Sequence, residues 1–370
     1  MIRVTRPVLG DRELRAIGAV LESGFLTQGE HVARFEASVA AATGTPHVVA
    51  VSSGAAALHL AVMALGIGPG DEVITSDFSF PATANVIELV GARTVLVDVD
   101  LATLNLDVTQ VEAAVTPRTR AILPVHEFGL MAEMEPIQGL ARRHGLAVIE
   151  DAACALGAAQ RIAGGLAMAG SAGTVGCFSF HPRKCVTTGE GGCLTTADAT
   201  LAARVRALRN HGLESGPGGL DLTAPGLNYR LGEIQGALGV AQMERLDWVL
   251  AERRRLAALY DEGLAACEML QRPQEPKDSR HAYQSYVVLL PEGLARDAVI
   301  ARLRAEGIEA VRGAYAIHRL AYYRARYAPA AERFPAASAA DARALALPLY
   351  AGMPDTSVGR VVETLRRVLA

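Results

Sequence analysis

Residues 177–196 read CFSFHPRKCVTTGEGGCLTT, and the single lysine at their centre, Lys184, decides how the rest of the chain is understood. It follows a short β-prone run, Cys177-Phe178-Ser179-Phe180, and precedes Thr187-Thr188-Gly189-Glu190-Gly191-Gly192. Glycines so close together mark a turn whose backbone passes near something bulky. A second apolar run, Cys193 to Thr196, leads away. A lone lysine is ordinarily a solvated charge. Held between two β-prone runs and partly desolvated, it loses its proton more readily and can condense with an aldehyde. From this stretch alone both readings stand.

Working outward, 370 residues suit two domains, or one large and one small. A hydrophobic share of 51% is ample for a sizeable core, and a net charge of −3 with mixed signs predicts neither a nucleic-acid stripe nor a polybasic membrane patch. The five cysteines (Cys154, Cys177, Cys185, Cys193, Cys267) lack zinc-type spacing and read as reduced thiols, with no metal site expected. No run suits a signal peptide or a membrane helix, so a cytoplasmic setting is expected.

From the N-terminus, Asp11 is placed to cap a helix bearing Leu14, Ile17, Val20 and Leu21, ended by Gly24. A second amphipathic helix carries Val32, Phe35 and Val39. Strands are then expected at 47–52, 72–75, 94–99, 120–125 and 146–150, with helices at 55–65, 81–90, 106–115 and 136–144 between them. That alternation predicts an α/β domain with a mainly parallel sheet covered on both faces. After the lysine stretch come a helix at 197–210, a Gly/Pro-rich loop at 212–226 and one long helix at about 231–264 linking two domains. A strand at 284–290, a helix at 296–306, a short strand near 308–311 and a final helix at 356–369 form a smaller α+β domain. The division expected is 1–245 and 246–370.

Several short motifs could carry chemistry. Ser52-Ser53-Gly54-Ala55-Ala56 joins a strand to a helix, and free amides there suit a phosphate, although an ordinary turn looks the same. Asp151 closes an apolar strand, where α/β sheets place their ligands, yet it could equally cap a helix. His126 follows the strand ending at Val125 and either lines a site or bonds to a loop. Asn228-Tyr229-Arg230 precedes the long helix and could be only its start signal. Gly66-Ile67-Gly68-Pro69-Gly70 precedes a strand and reads as a turn, not a dinucleotide fingerprint.

In chain order these pieces give SSGAAALHL, PVHEFG, VIEDAACALGA, FSFHPRKCVTTGEGG and GLNYRLGEIQGALGVAQMERLD, with RPVLGDRELRAIGAVLESGFLTQGEHVARFE at the start and HAYQSYVV later. The set closely resembles the DegT/DnrJ/EryC1/StrS family of sugar aminotransferases, which use pyridoxal 5′-phosphate (PLP). The resemblance implies the aspartate-aminotransferase-like fold type I: a large PLP domain with a mixed, mainly parallel sheet, then a small C-terminal domain.

Residue by residue, it makes Lys184 the lysine that holds PLP as a Schiff base and moves a proton during turnover. Asp151 becomes the carboxylate that pairs with the pyridine nitrogen and keeps the ring protonated. Ser179 binds the cofactor phosphate together with the backbone around Gly54 and Ala55. The family usually has threonine where this chain has Ala55, which removes one hydroxyl contact. Phe80 takes the aromatic position that stacks on the ring, or else belongs to the core. Cys154 stands where glutamine or histidine usually contacts the cofactor's hydroxyl side, and a thiol is a weaker partner. Asn228 matches an asparagine that reaches the phosphate in the neighbouring subunit, which implies a homodimer with shared active sites. Tyr229 and Arg230 are expected near the amino donor or sugar nucleotide; Tyr315 and His318 lie where family members approach the nucleotide sugar, or are structural.

The function implied is transfer of an amino group from glutamate to a nucleotide-linked keto sugar, through pyridoxamine phosphate, in amino sugar biosynthesis. A 4-keto-6-deoxy sugar is favoured; C3 amination and glutamine as donor stay open. The alternatives are a cyclitol ketone aminotransferase and a non-catalytic PLP-fold regulator. Dehydratases of this fold carry histidine at the lysine position, and Lys184 argues against that class.

Overall fold

A computed structural model describes residues 1–216, 219–328 and 331–369. Seven strands form the central sheet, in the order His47–Val51, Gly192–Thr196, Val175–Ser179, Ala147–Asp151, Thr119–Leu123, Glu72–Ser76, Arg93–Val97. The last five run parallel to one another, whereas Gly192–Thr196 is antiparallel to both its neighbours. The reversal has a local cause. The lysine stretch leaves Ser179 and returns at Gly192 on the adjacent strand, so chain direction inverts within one loop. This is the mixed, mainly parallel sheet of fold type I.

All five residues of Glu72–Ser76 are buried, as are four of five in His47–Val51 and Ala147–Asp151. Strands so apolar need cover on both faces. One core packs Phe35, Val39, Ile122, Ile137, Phe178 and Phe180, and the opposite one packs Leu58, Leu60, Val62, Ile87, Leu123 and Leu194. Helix Gly54–Ala64 is buried nearly all round in the second, which explains why its sequence lacks a polar face.

A third core of Leu256, Tyr260, Tyr286, Leu303, Leu345 and Leu365 lies among helices Leu246–Gly263, Arg296–Ala305 and Asp355–Leu369 and a three-stranded sheet, Tyr286–Leu289, Ala344–Leu347 and Val311–Arg312. Helix Leu246–Gly263 belongs to both cores, since Leu246, Val249 and Leu250 pack in the first and Leu256, Ala257 and Tyr260 in the third. The first residues join the C-terminal unit too: Ile2 bridges Ile308, and the Leu349 amide donates to the Val4 carbonyl at 3.0 Å.

Several expectations are corrected. The long helix at 231–264 is two helices, Glu233–Met243 and Leu246–Gly263, broken at Glu244–Arg245. Asp11 does not cap the first helix. Gly10 holds that place, and its amide donates to the Glu13 carboxylate at 2.8 Å. The Gly/Pro-rich loop contains a hairpin, Leu213–Gly216 with Gly219–Leu222, residues 217 and 218 lying outside the described residues. Unforeseen were a hairpin over 159–168, helices Ala321–Tyr327 and Pro335–Arg343, and the pairing of Tyr315–Ala316 with Phe78–Ser79. Among the described residues, no helix is long and apolar enough to cross a membrane.

Candidate active site

The lysine loop is closed by its own backbone. The Phe180 amide donates to Gly191 at 2.8 Å, the Thr188 amide to Phe180 at 2.9 Å and the Lys184 amide to His181 at 2.8 Å. Gly189 turns at φ 82°. The bulk foreseen beside these glycines is the chain itself, since a Cβ on Gly192 would run into the Ser53 carbonyl and the Gly54 amide. Gln284 clamps the loop from the C-terminal side: its amide donates to the Arg183 carbonyl at 2.5 Å and its oxygen accepts from the Cys185 thiol at 3.3 Å. The HAYQSYVV segment therefore fixes the backbone on both sides of Lys184.

The Lys184 amine is half-buried and donates to the Cys154 sulfur at 3.0 Å. Burial lowers its pKa, but Cys154, Asp151 and Glu127 around it raise it, and the net direction is upward. Burial thus favours loss of the proton, as expected from sequence, while the acids around the amine oppose it. Burial pushes the Cys154 thiol up as well, against the opposing pull of the Lys184 charge.

Asp151, 5% exposed, ends its strand facing this cluster. Its carboxylate accepts from the Thr83 hydroxyl at 2.7 Å and from the Ala153 amide at 3.1 Å. The Ser79 hydroxyl, at the end of strand Phe78–Ser79, lies 3.1 Å from that hydroxyl. No helix follows Asp151, so the helix-cap reading is corrected: one oxygen accepts from the Ala153 amide in a turn, and the other is oriented by the Thr83 hydroxyl. Thr83, which motif reading missed, orients that carboxylate and carries no local signal of its own in the sequence.

Glu127 was missed too. It sits in the PVHEFG motif, where only His126 drew notice, although the strand-end reasoning that found Asp151 applied to it equally. Burial, with the Asp151 charge second, pushes its carboxyl up to about 8. The unfolded chain sheds that proton near the ordinary glutamate value, roughly 4.3, while the folded chain keeps it until about 8. Glu127's part of the stability is therefore full below the lower value and lost as pH rises through the upper one. In thermal melts of cofactor-free protein, Glu127→Gln flattens the fall of Tm over this window; parallel pH profiles would contradict it.

The turn after the first sheet strand tests whether a phosphate fits. Ser53 caps helix Gly54–Ala64 by accepting from the Ala56 amide at 3.0 Å, and among the described residues the Gly54 and Ala55 amides find no partner. Ser179 closes the other side, so tightly that a Cβ on Gly54 would stand 2.7 Å from its Cβ. Unpaired amides, a helix N-terminus and a hydroxyl suit a phosphate monoester. Together with an amine, a ring-pairing carboxylate and a thiol in one cluster, this donor set fits PLP. Gly54→Ala crowds Ser179 and is expected to raise the cofactor dissociation constant at least about tenfold, roughly 1.4 kcal/mol. Fluorescence titration of cofactor-free protein checks it, and unchanged affinity would remove the cradle.

The Asn228-Tyr229-Arg230 segment lies beside that turn. The Ser52 amide donates to the Tyr229 carbonyl at 2.9 Å, and Val51 bridges Arg230. Tyr229 reaches His59 at 3.2 Å and Arg230 donates to Asn210 at 2.5 Å, while Asn228 is exposed. Phe80 is 66% exposed, which removes the core alternative, and its ring stands 6.4 Å from Tyr315. His318 is buried, with Nδ1 2.5 Å from Asp77 and its ring stacked on Phe334. Of the two readings left open for His318, the structural one is favoured.

His126 bonds within the fold. Its Nδ1 accepts from the Ala132 amide at 3.1 Å, so Nε2 carries the proton it gives to Glu150 at 2.8 Å. Glu150 also accepts from the amides of Gly170, Ala172 and Gly173. Glu150→Gln turns an NH₂ toward these donors and is expected to cost about 3 kcal/mol. Urea unfolding measures this, and an unchanged midpoint would contradict it.

A mixed sheet with a lysine in its reversal loop, a carboxylate at the neighbouring strand end and a phosphate cradle defines a PLP-dependent aminotransferase. Residues 7–366 match the DegT/DnrJ/EryC1/StrS aminotransferase family, and the chain belongs to it. It is 40% identical over 372 residues to a GDP-perosamine synthase of Caulobacter vibrioides, covering 100% of this chain and 98% of that one. It is 39% identical over 376 residues to the spore coat polysaccharide biosynthesis protein SpsC of Bacillus subtilis, covering 98% and 96%. Among solved structures, DesV of S. venezuelae in complex with a ketimine intermediate superposes with a TM-score of 0.89 at 36% identity, over 96% of this chain and 93% of that one. The chain is thus a sugar aminotransferase that uses PLP.

Proposed function

We propose that the enzyme transfers an amino group from glutamate to a nucleotide-linked keto sugar, with C4 of a 4-keto-6-deoxy sugar the favoured acceptor. The observation that carries this is the convergence of Lys184, Asp151 and the Gly54–Ser179 cradle at one end of the sheet, in a chain 40% identical to a protein named for a GDP-linked product. Bound PLP would supply an electron sink for the reacting carbon and a carrier for the amino group.

The chain's own residues do the rest. Lys184 bonds the cofactor at rest and, once displaced, takes and returns the proton at the reacting carbon. Asp151, oriented by Thr83, holds a proton on the ring nitrogen. Ser179 and the Gly54 and Ala55 amides hold the phosphate, without the hydroxyl a threonine at 55 would add. Cys154 would meet the cofactor's hydroxyl side, and Phe80 would cover one face of its ring. Asn228, exposed on one protomer, reaches the phosphate of its neighbour in a homodimer. Tyr229, Arg230 and Tyr315 would contact the amino donor or the sugar nucleotide.

A panel of ketone acceptors with glutamate or glutamine as donor tests this. Amination of a 4-keto nucleotide sugar with release of 2-oxoglutarate is expected. Turnover confined to cyclitol ketones would move the substrate class to natural-product intermediates.

A further inference from the structure

Beside the amine lies a second carboxyl for which the reaction outlined above has no use. Glu127 is only 5% exposed, and among the described residues it enters no ion pair within bonding distance. Its backbone is held firmly. The Glu127 amide donates to Asn105 at 2.9 Å, and the Leu130 amide returns to the Glu127 carbonyl at 3.0 Å. The next residue, Phe128, is left-handed at φ 54°, a conformation a non-glycine rarely adopts. Gly129 follows at φ 104°, where a Cβ would meet the Cys154 carbonyl at 3.1 Å. The turn thus packs against the Cys154 backbone, and the Glu127 carboxyl lies close enough to Asp151, Lys184 and the Ser79 hydroxyl to be coupled to all three.

The groups around it settle its charge. Asp151 repels a second negative charge, Lys184 attracts one, and the Ser79 hydroxyl offers a hydrogen bond; burial outweighs the attraction. His281 and Arg272 border the small cavity that Glu127 also lines. His281 is driven down to about 3 by burial and is neutral, while Arg272 is turned to Asp261. His126, next in the chain, faces Glu150.

Resting on the PLP reading, we propose that Glu127 is a positioning residue that stays a neutral acid and donates a hydrogen bond to the phenolic oxygen of the cofactor, a duty the Cys154 thiol performs poorly. A buried carboxylic acid is a strong donor only while it keeps its proton, and the like-charged neighbour enforces that. A donor on the phenolic oxygen draws off electron density that would otherwise hold the proton on the lysine–cofactor nitrogen. It therefore lowers the pH at which that nitrogen deprotonates.

The test is the pH titration of the visible absorbance of the holoenzyme. In Glu127→Ala the midpoint moves up by about one unit or more, and Cys154→Gln in the same chain moves it back by supplying an amide donor. Glu127→Gln, which still donates but does not titrate, gives a single-proton curve where the wild type shows two coupled protons. If the alanine variant fails to fold, the glutamine comparison decides alone. Curves identical to wild type in Glu127→Ala, or in Glu127→Gln when only that variant folds, overturn the proposal. The underlying function is judged separately: loss of the wild-type absorbance on adding glutamate supports it whatever the titrations give.

Discussion

Lys184→Ala lowers amino-transfer turnover by about 10⁴-fold, because one substitution removes both the bond to the cofactor and the base that moves the proton. The fold should survive the change. The loop around Lys184 is closed by backbone bonds at Phe180, Thr188 and His181 and clamped by Gln284, none of which uses the lysine side chain. What the variant leaves exposed is a cluster of acids without its cation, with Cys154 losing its 3.0 Å partner. Added methylamine should restore a small part of the rate. Turnover near wild type, with thermal unfolding unchanged, would show that the proton is moved elsewhere.

The second large effect is at Asp151. Asp151→Asn keeps the shape and can still accept from Thr83, whose hydroxyl is 2.7 Å away, but it removes the negative charge. Breaking one partner of a buried charge pair costs about 3–4 kcal/mol, or roughly 10²–10³-fold in rate. The cofactor should remain attached, since Lys184 and the Gly54–Ser179 cradle are intact. The expected signature is a lowered kcat with a retained absorbance band, read by steady-state kinetics alongside a spectrum. A full loss of bound cofactor would mean that Asp151 holds the ring more than it tunes it.

Much of this was legible in the sequence, for physical reasons specific to each element. Short apolar strands separated by amphipathic helices leave few alternatives to a doubly covered sheet, and the strands at 47–51, 72–76 and 147–151 lie within a residue or two of their expected places. Lys184 and Asp151 were accessible because strand ends and glycine-flanked turns concentrate chemistry. Other features depend on contacts between segments far apart in the chain. Nothing local marks the break at Glu244–Arg245, since both flanking helices share one apolar periodicity. The Gly10 cap depends on a carboxylate three residues on, not on the nearer Asp11. Thr83 is revealed only when the fold brings Asp151 beside it, and Gln284 only when the C-terminal unit is laid against the lysine loop, whereas Glu127 stood at a strand end like Asp151 and was overlooked.

The directness of one test comes from composition. The chain has only two lysines, Lys184 and Lys277, and Lys277 is exposed. Borohydride reduction of the purified holoenzyme, followed by peptide mass spectrometry, should place a phosphopyridoxyl group on Lys184 and leave Lys277 unmodified. Prior addition of glutamate should abolish the label by displacing the amine. A label on Lys277, or a visible absorbance band with Lys184 unmodified after reduction, would contradict the assignment of this lysine as the cofactor's anchor.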